Sequence, residues 1–146
     1  MSTHVFDEAI ALQAQPDGSW TGHTHPAYAN MVGPFGGITA AQALNGVLQH
    51  PERLGDPVSL TVNFCAALAD GPFTVMARAA RTNRSTQHWT IEIQQGDAIV
   101  MTGTAVTAVR RETWGVDEEP MPLCPPPAEV PPPQVMAPME FVKRYE

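Results

Sequence analysis

The stretch Gly33-Pro34-Phe35-Gly36-Gly37-Ile38-Thr39-Ala40-Ala41-Gln42 is a glycine-rich turn that runs straight into a helix-like segment short of bulky side chains. The first turn of a helix carries N–H groups with no intrahelical acceptor at the positive end of the helix dipole, and glycine there lets a ligand oxygen reach the backbone. Gly36 and Gly37 are therefore candidate binding residues, whose amides could stabilise negative charge growing on a carbonyl oxygen. The same glycines would also serve a tight loop and close helix–sheet packing, and both readings stand. The stretch holds neither Gly-Lys-Ser/Thr nor GxGxxG, which makes a nucleotide phosphate loop the poorer reading.

Hydrolysis would need a base for water or a nucleophile. From Met31 to Pro51 the chain has no Asp or Glu. Gln42 and Asn45 are the polar groups offered by the middle of the helix, and an amide orients water without taking its proton at neutral pH. Gln42 is a candidate for lining a site, or else a polar group bonded to a neighbouring strand; no catalytic residue is assigned. Arg78, Arg81 and Arg84 concentrate three of the eight basic residues in one short span, and guanidinium groups suit phosphate oxygens. Alternation along the strand separates Arg78 from Arg81. Arg84-Ser85-Thr86 is the better phosphate candidate, against the alternative of a solvated hairpin end. Asn63, on the polar side of its strand, could reach a ligand or satisfy a backbone group. His23 and His25 have a metal-like spacing but no acidic or cysteine partner to complete a zinc pattern, and no metal is expected.

These residues need elements to hold them. "VSLTVNF" alternates Val58, Leu60, Val62 and Phe64 with polar residues, as a strand with one buried face does. "PFTVMARAAR", "STQHWTIEIQQ" and "AIVMTGTAVTAV" follow through short turns, and Gln87, Trp89, Ile91 and Ile93 share a face in the second of them. Long strands joined by short turns indicate an antiparallel meander. "IALQAQ" and "SWTGHTH" flank Pro16-Asp17-Gly18 as a shorter hairpin. The one convincing helix runs from about Gly36 to His50, with Ile38, Ala41, Leu44, Val47 and Leu48 as its apolar stripe. Ala40, Ala43 and Gly46 keep it thin, which suits a helix wrapped closely by a curved sheet. Hairpin, helix, then four strands is the order of an α+β hotdog fold. Trp20, Trp89 and Trp114 are read as core and rim packing.

Residues 1–115 form the expected hotdog domain. From Asp117 to Pro138 nine of the fifteen prolines exclude a helix or an inner strand, so residues 116–138 read as an extended linker. Its PxxP spacings lack the flanking basic residues of an SH3 or WW ligand. Residues 139–146, "MEFVKRYE", resume a mixed pattern that would open a further element. A net charge of −7 opposes binding to nucleic acid or to anionic lipid. No apolar run approaches membrane-spanning length, and no signal sequence stands at the N-terminus, so the expected location is cytoplasmic. Cys65 and Cys124, without CxxC spacing, read as free thiols.

"MVGPFGGITAAQALNGVL", "SLTVNFCAALADGPF" and "ARTNRSTQHWTIEIQQGDAIVMTGTAV" together resemble the N-terminal hotdog of acyl-CoA thioesterases of the thioesterase II type, over roughly residues 5–115. The markers are Phe35-Gly36-Gly37, Gln42, the Phe64 strand leading to Asp70-Gly71-Pro72, the Arg81-x-x-Arg84-Ser85 turn and Gln95-x-Asp97. The resemblance implies thioester hydrolysis, with coenzyme A entering as part of an acyl-CoA substrate and no other cofactor. It places the thioester carbonyl at Gly36 and Gly37. It also implies a second hotdog repeat, which "MEFVKRYE" would begin, or a homodimer partner. The Asp, Thr and Gln that handle water in such proteins belong to that second repeat. A non-catalytic acyl-thioester-binding or assembly module is the competing reading, favoured for the isolated chain by the missing helix acid. A hotdog dehydratase is weakened because "HPAYANMVGPFGG" offers His25 but no Asp.

Overall fold

The structure is a computed structural model and describes residues 4–130. A short helix α1 (Val5–Ala9) leads into a hairpin of β1 (Gln13–Ala14) and β2 (Trp20–His23), as the Pro16-Asp17-Gly18 turn predicts. Asp17 ties that turn, its carboxylate accepting from Ser19 Oγ at 2.7 Å and from the Ser19 amide at 3.0 Å. Those two bonds, the hydroxyl's first, hold the Asp17 carboxyl below its ordinary value, so their contribution is present near neutrality and fades as pH falls through that lowered value. A second small hairpin, β3 (Ala29–Asn30) with β4 (Gly33–Pro34), was not legible in the sequence and leads into helix α2 (Gly36–Leu48). Four long strands follow: β5 (Asp56–Phe64), β6 (Pro72–Thr82), β7 (Thr86–Gln95) and β8 (Ala98–Ala108).

The main sheet is antiparallel in the order β1-β2-β6-β7-β8-β5, with α2 packed on β6, β7 and β5. Register shifts at Pro57/Ser59, Ala79/Arg81 and Ile93/Gln94 interrupt the ladders, and such bulges bend and twist a strand. One main helix on an antiparallel sheet in this order is the α+β hotdog fold. The core joins Trp20, Ala43, Val47, Val75, Trp89, Ile91, Ile93 and Met101. Trp89 donates from Nε1 to the buried Thr107 hydroxyl at 3.1 Å, so its one polar atom is satisfied inside. Trp114, expected in the core or rim, is instead 83% exposed.

Three expectations are corrected. The helix face against the sheet is Thr39, Gln42, Ala43, Gly46 and Val47, with Ile38 also buried, while Ala41, Leu44 and Leu48 are only half-buried. Small residues face the sheet because it comes so near: a Cβ on Gly46 would stand 2.9 Å from Val75 Cγ1. Along β5, Leu60 and Val62 are half-buried, but Val58 is 61% and Phe64 58% exposed. β5 is the sheet's edge, and Val58 is the extra residue of its bulge. Arg78 and Arg81 do share a face, because the bulge after Ala79 sets them opposite Thr90 and His88, alternate residues of β7.

The close fit at Gly46 gives a first prediction. Gly46→Val should destabilise the fold by about 1–3 kcal/mol, since the added carbons enter a filled core. A lower urea midpoint checks this, and an unchanged midpoint would mean that the sheet does not approach the helix so closely.

The chain divides into two units, Met1–Arg110 and Arg111–Glu146. Of the second, residues 111–130 contain no strand or α-helix, only a 3₁₀ turn at Pro127–Glu129, and all are exposed. The last eight residues of the expected linker and all of "MEFVKRYE" lie outside the described residues.

Candidate functional site

Phe35 stands at the N-cap of α2 with extended backbone (φ −55°, ψ 131°), and no side chain caps the helix. Phe35 donates its own amide to Tyr28 O at 2.8 Å, and Ile38 donates to Phe35 O at 3.0 Å. No acceptor among the described residues is bonded to the amides of Gly36 and Gly37, as expected for the first turn of a helix. Two phenyl rings use the space the glycines leave. A Cβ on Gly36 would stand 3.0 Å from Phe64 Cζ, and one on Gly37 would overlap the Phe35 ring. Both rings are more than half exposed, so neither fills a core.

Beside this tip lies a cavity of about 340 Å³. Gly36 and Thr39 of α2 form one side, and Val32 and Pro34 of the small hairpin another. Phe64, the connection Cys65–Leu68 and Val100 of β8 complete the lining. Its lining residues are apolar in their side chains except Thr39 and Cys65, whose thiol lies toward Asn63 O and Thr102 Oγ1; backbone polar groups share the lining, and it holds no carboxylate or imidazole. Gly33, at φ +126°, brings its backbone so near Leu68 that a Cβ would stand 2.6 Å from the Leu68 carbonyl oxygen. Such a space can take the apolar start of an acyl chain, with a polar head at the helix tip.

The structure brings together only part of the predicted site. Gly36 lines the cavity and Gly37 lies next to it, exposed. Gln42 is 1% exposed and outside the lining; its Nε2 donates to Ala9 O at 2.7 Å and to His23 O at 3.1 Å, fastening α1 and β2 to α2. Asn45 acts alike, donating to Ile10 O at 2.7 Å. Asn63 is paired with Thr102 in the ladder and points with it to the face away from α2, their side chains 3.5 Å apart.

Arg84, Ser85 and Thr86 stand at the far end of β7 from the cavity. Gln95 ends that strand beside the cavity-lining connection, bonding Ala69, whereas Thr86 begins it near the C-terminal end of α2, where Gln87 bonds Leu54. Nine residue steps at about 3.3 Å put roughly 30 Å between the two ends. His23 bonds the Thr24 carbonyl through Nδ1 at 2.7 Å, and His25 accepts from the Ala27 amide with Glu8 3.9 Å away. Among the described residues no three His, Cys, Asp or Glu side chains converge as metal ligands.

Sequence reasoning missed two glutamines that shape this architecture. Gln87, 1% exposed, accepts from the Leu54 amide and donates to Glu52 O and Thr82 Oγ1. Its place among Trp89, Ile91 and Ile93 on a buried face was the available signal, since a buried amide must find partners. Gln95 bonds Ala69 and Pro72 at the end of the connection from β5 to β6, and in the sequence it stood only as a marker of the resemblance.

A cavity thus lies beside an uncapped, glycine-bearing helix tip in a hotdog fold. Residues 25–108 match the acyl-CoA thioesterase N-terminal domain family, and the chain belongs to that family. Comparison with curated proteins found no match. Among solved structures, a conserved protein of unknown function with hot dog fold from Alicyclobacillus acidocaldarius is 48% identical, at a TM-score of 0.90, covering 97% of this chain and 53% of that one. An acyl-CoA thioesterase II, TesB2, from Mycobacterium marinum is 20% identical with a TM-score of 0.70, over 86% of this chain and 47% of that one. A tesB protein of Mycobacterium avium subs. paratuberculosis is 22% identical with a TM-score of 0.72, over 84% and 48%. The latter two likenesses show the fold. The chain spans about half the length of these structures.

Proposed function

We propose that this chain is one half of an acyl-CoA thioesterase site. The thioester carbonyl points at the free amides of Gly36 and Gly37, and the first carbons of the acyl group enter the cavity between Thr39, Leu68 and Val100. As water adds to the carbonyl carbon, the electron pair moves to oxygen, and amides already aimed there favour the transition state over the ground state. The tetrahedral intermediate then expels the coenzyme A thiolate and leaves the free acid. The observation that carries this reading is the cavity's position against an uncapped helix tip.

The cavity lining offers no group able to take water's proton, so the base comes from a second hotdog repeat or a partner copy. The exposed edge strand β5, with Val58 and Phe64 open, gives that partner a ladder to join. A non-catalytic acyl-thioester-binding module is the second reading, and the same lack of a base favours it. Thiol release from short, medium and long acyl-CoAs separates the two. No release, joined to a rise in melting temperature with an acyl-CoA, supports binding alone; neither effect refutes both.

Arg84, Ser85 and Thr86 take no part in this reading of the cavity. Arg84→Ala should therefore leave affinity for acyl-CoA within about twofold of the parent, as expected for an exposed, solvated charge. A loss of about tenfold or more in a calorimetric titration, over 1.3 kcal/mol by the usual conversion, would return the phosphates to that turn.

A further inference from the structure

The connection from β5 to β6, residues 65–71, lines the cavity through Cys65–Leu68, yet it belongs to no strand. Its ends are anchored by backbone. Cys65 and Ala66 both donate to Val100 O, at 2.9 and 3.3 Å, and Gly71 exchanges bonds with Thr24, through the Thr24 hydroxyl at 2.8 Å and the Thr24 amide at 3.0 Å. Between these ends a side chain does the work. Gln95 Oε1 accepts from the Ala69 amide at 2.8 Å, while its Nε2 donates to Ala69 O at 2.9 Å and to Pro72 O at 3.1 Å. Bonding both the N–H and the C=O of one residue is what a neighbouring strand would do. Gln95 thus replaces a strand for a segment that has none.

We infer that Gln95 is a positioning residue for the acyl cavity: its amide fixes the wall formed by Cys65–Leu68 against the tip of α2, and so sets affinity for the acyl group without touching it. Leu68 is the buried member of that wall and lies one residue from Ala69, the residue that Gln95 grips. The inference rests on the thioester reading of the cavity given above.

Glutamate is the informative replacement. Gln95→Glu keeps an acceptor for the Ala69 amide but turns an ionised oxygen toward the Ala69 and Pro72 carbonyls, and protonation restores one donor. Two facing carbonyl oxygens disfavour the ionised form, so the defect should appear as pH rises and recede as it falls. Asp70 and Asp97, both exposed, flank the site in parent and variant alike, so the parent's own pH profile corrects for them.

The experiment titrates a non-hydrolysable acyl-CoA thioether into the full chain at about pH 5 and about pH 8. The parent should bind equally at both, Gln95→Ala should bind about tenfold more weakly at both, and Gln95→Glu should lose about tenfold only at the higher pH. Gln94→Ala, whose amide bonds only Gly96 O, should match the parent. If Gln95→Ala does not fold, Gln95→Glu at the two pH values carries the test. Parent-like affinity for Gln95→Ala, or a pH-independent loss for Gln95→Glu, overturns the positioning role while leaving the thioester reading intact. Failure of the parent to bind the thioether overturns the reading itself, and the inference with it.

Discussion

Gln42→Ala is expected to lower the stability of the fold by roughly 2–4 kcal/mol, because a buried and a part-buried carbonyl lose their donor and a side-chain-sized void opens between α1, β2 and α2. The carbonyls are those of Ala9 and His23, and the amide that reaches them is 1% exposed. Urea unfolding followed by tryptophan fluorescence reads the change, since Trp20 and Trp89 are both in the core. Gln42→Glu tests the same contacts differently, for an ionised carboxylate cannot donate to either carbonyl, and it should be at least as damaging near neutral pH. A shift under about 0.5 kcal/mol for Gln42→Ala, with acyl-CoA affinity lost instead, would restore the reading of Gln42 as a site residue.

The largest effect on activity should come from the partner repeat. Hydrolysis by this chain alone is expected to be about a hundredfold or more slower than by the same chain joined to a second hotdog repeat, the usual worth of a positioned general base. The cavity lining offers Thr39 and Cys65 but no carboxylate or imidazole, and the chain spans about half the length of its structural relatives. Single-turnover thiol release at saturating acyl-CoA isolates the chemical step from binding. Equal rates with and without the added repeat would mean that a proton acceptor lies within these residues after all.

The period-two runs and the Pro16-Asp17-Gly18 and Gln95-Gly96-Asp97 turns made the strands legible, because side-chain alternation and turn chemistry are local properties. The helix was legible for the same reason, but its orientation was not. Composition shows that α2 is thin; only the position of Val75 against Gly46 shows which thin face meets the sheet. The Arg78 and Arg81 assignment failed at the bulge after Ala79, where one extra residue reverses the alternation on which it relied.

Gly36 was legible as the start of α2 because a glycine at a helix start is a local signal, whereas Gln42, Gln87 and Gln95 are alike in sequence and differ only in partners far along the chain. Arg84 was read as a phosphate contact from its turn. Which end of β7 lies near the cavity depends on partners distant in sequence, Ala69 for Gln95 and Leu54 for Gln87.

The most direct test of the placement of the thioester is to follow backbone amide resonances during titration with a non-hydrolysable acyl-CoA thioether carrying the same carbonyl group one atom from sulfur. The expected result is that Gly36 and Gly37 shift most, together with Thr39 and the wall from Cys65 to Leu68. Saturable shifts confined to the opposite end of the sheet, around Arg84 to Thr86, with Gly36 and Gly37 unmoved, would contradict it.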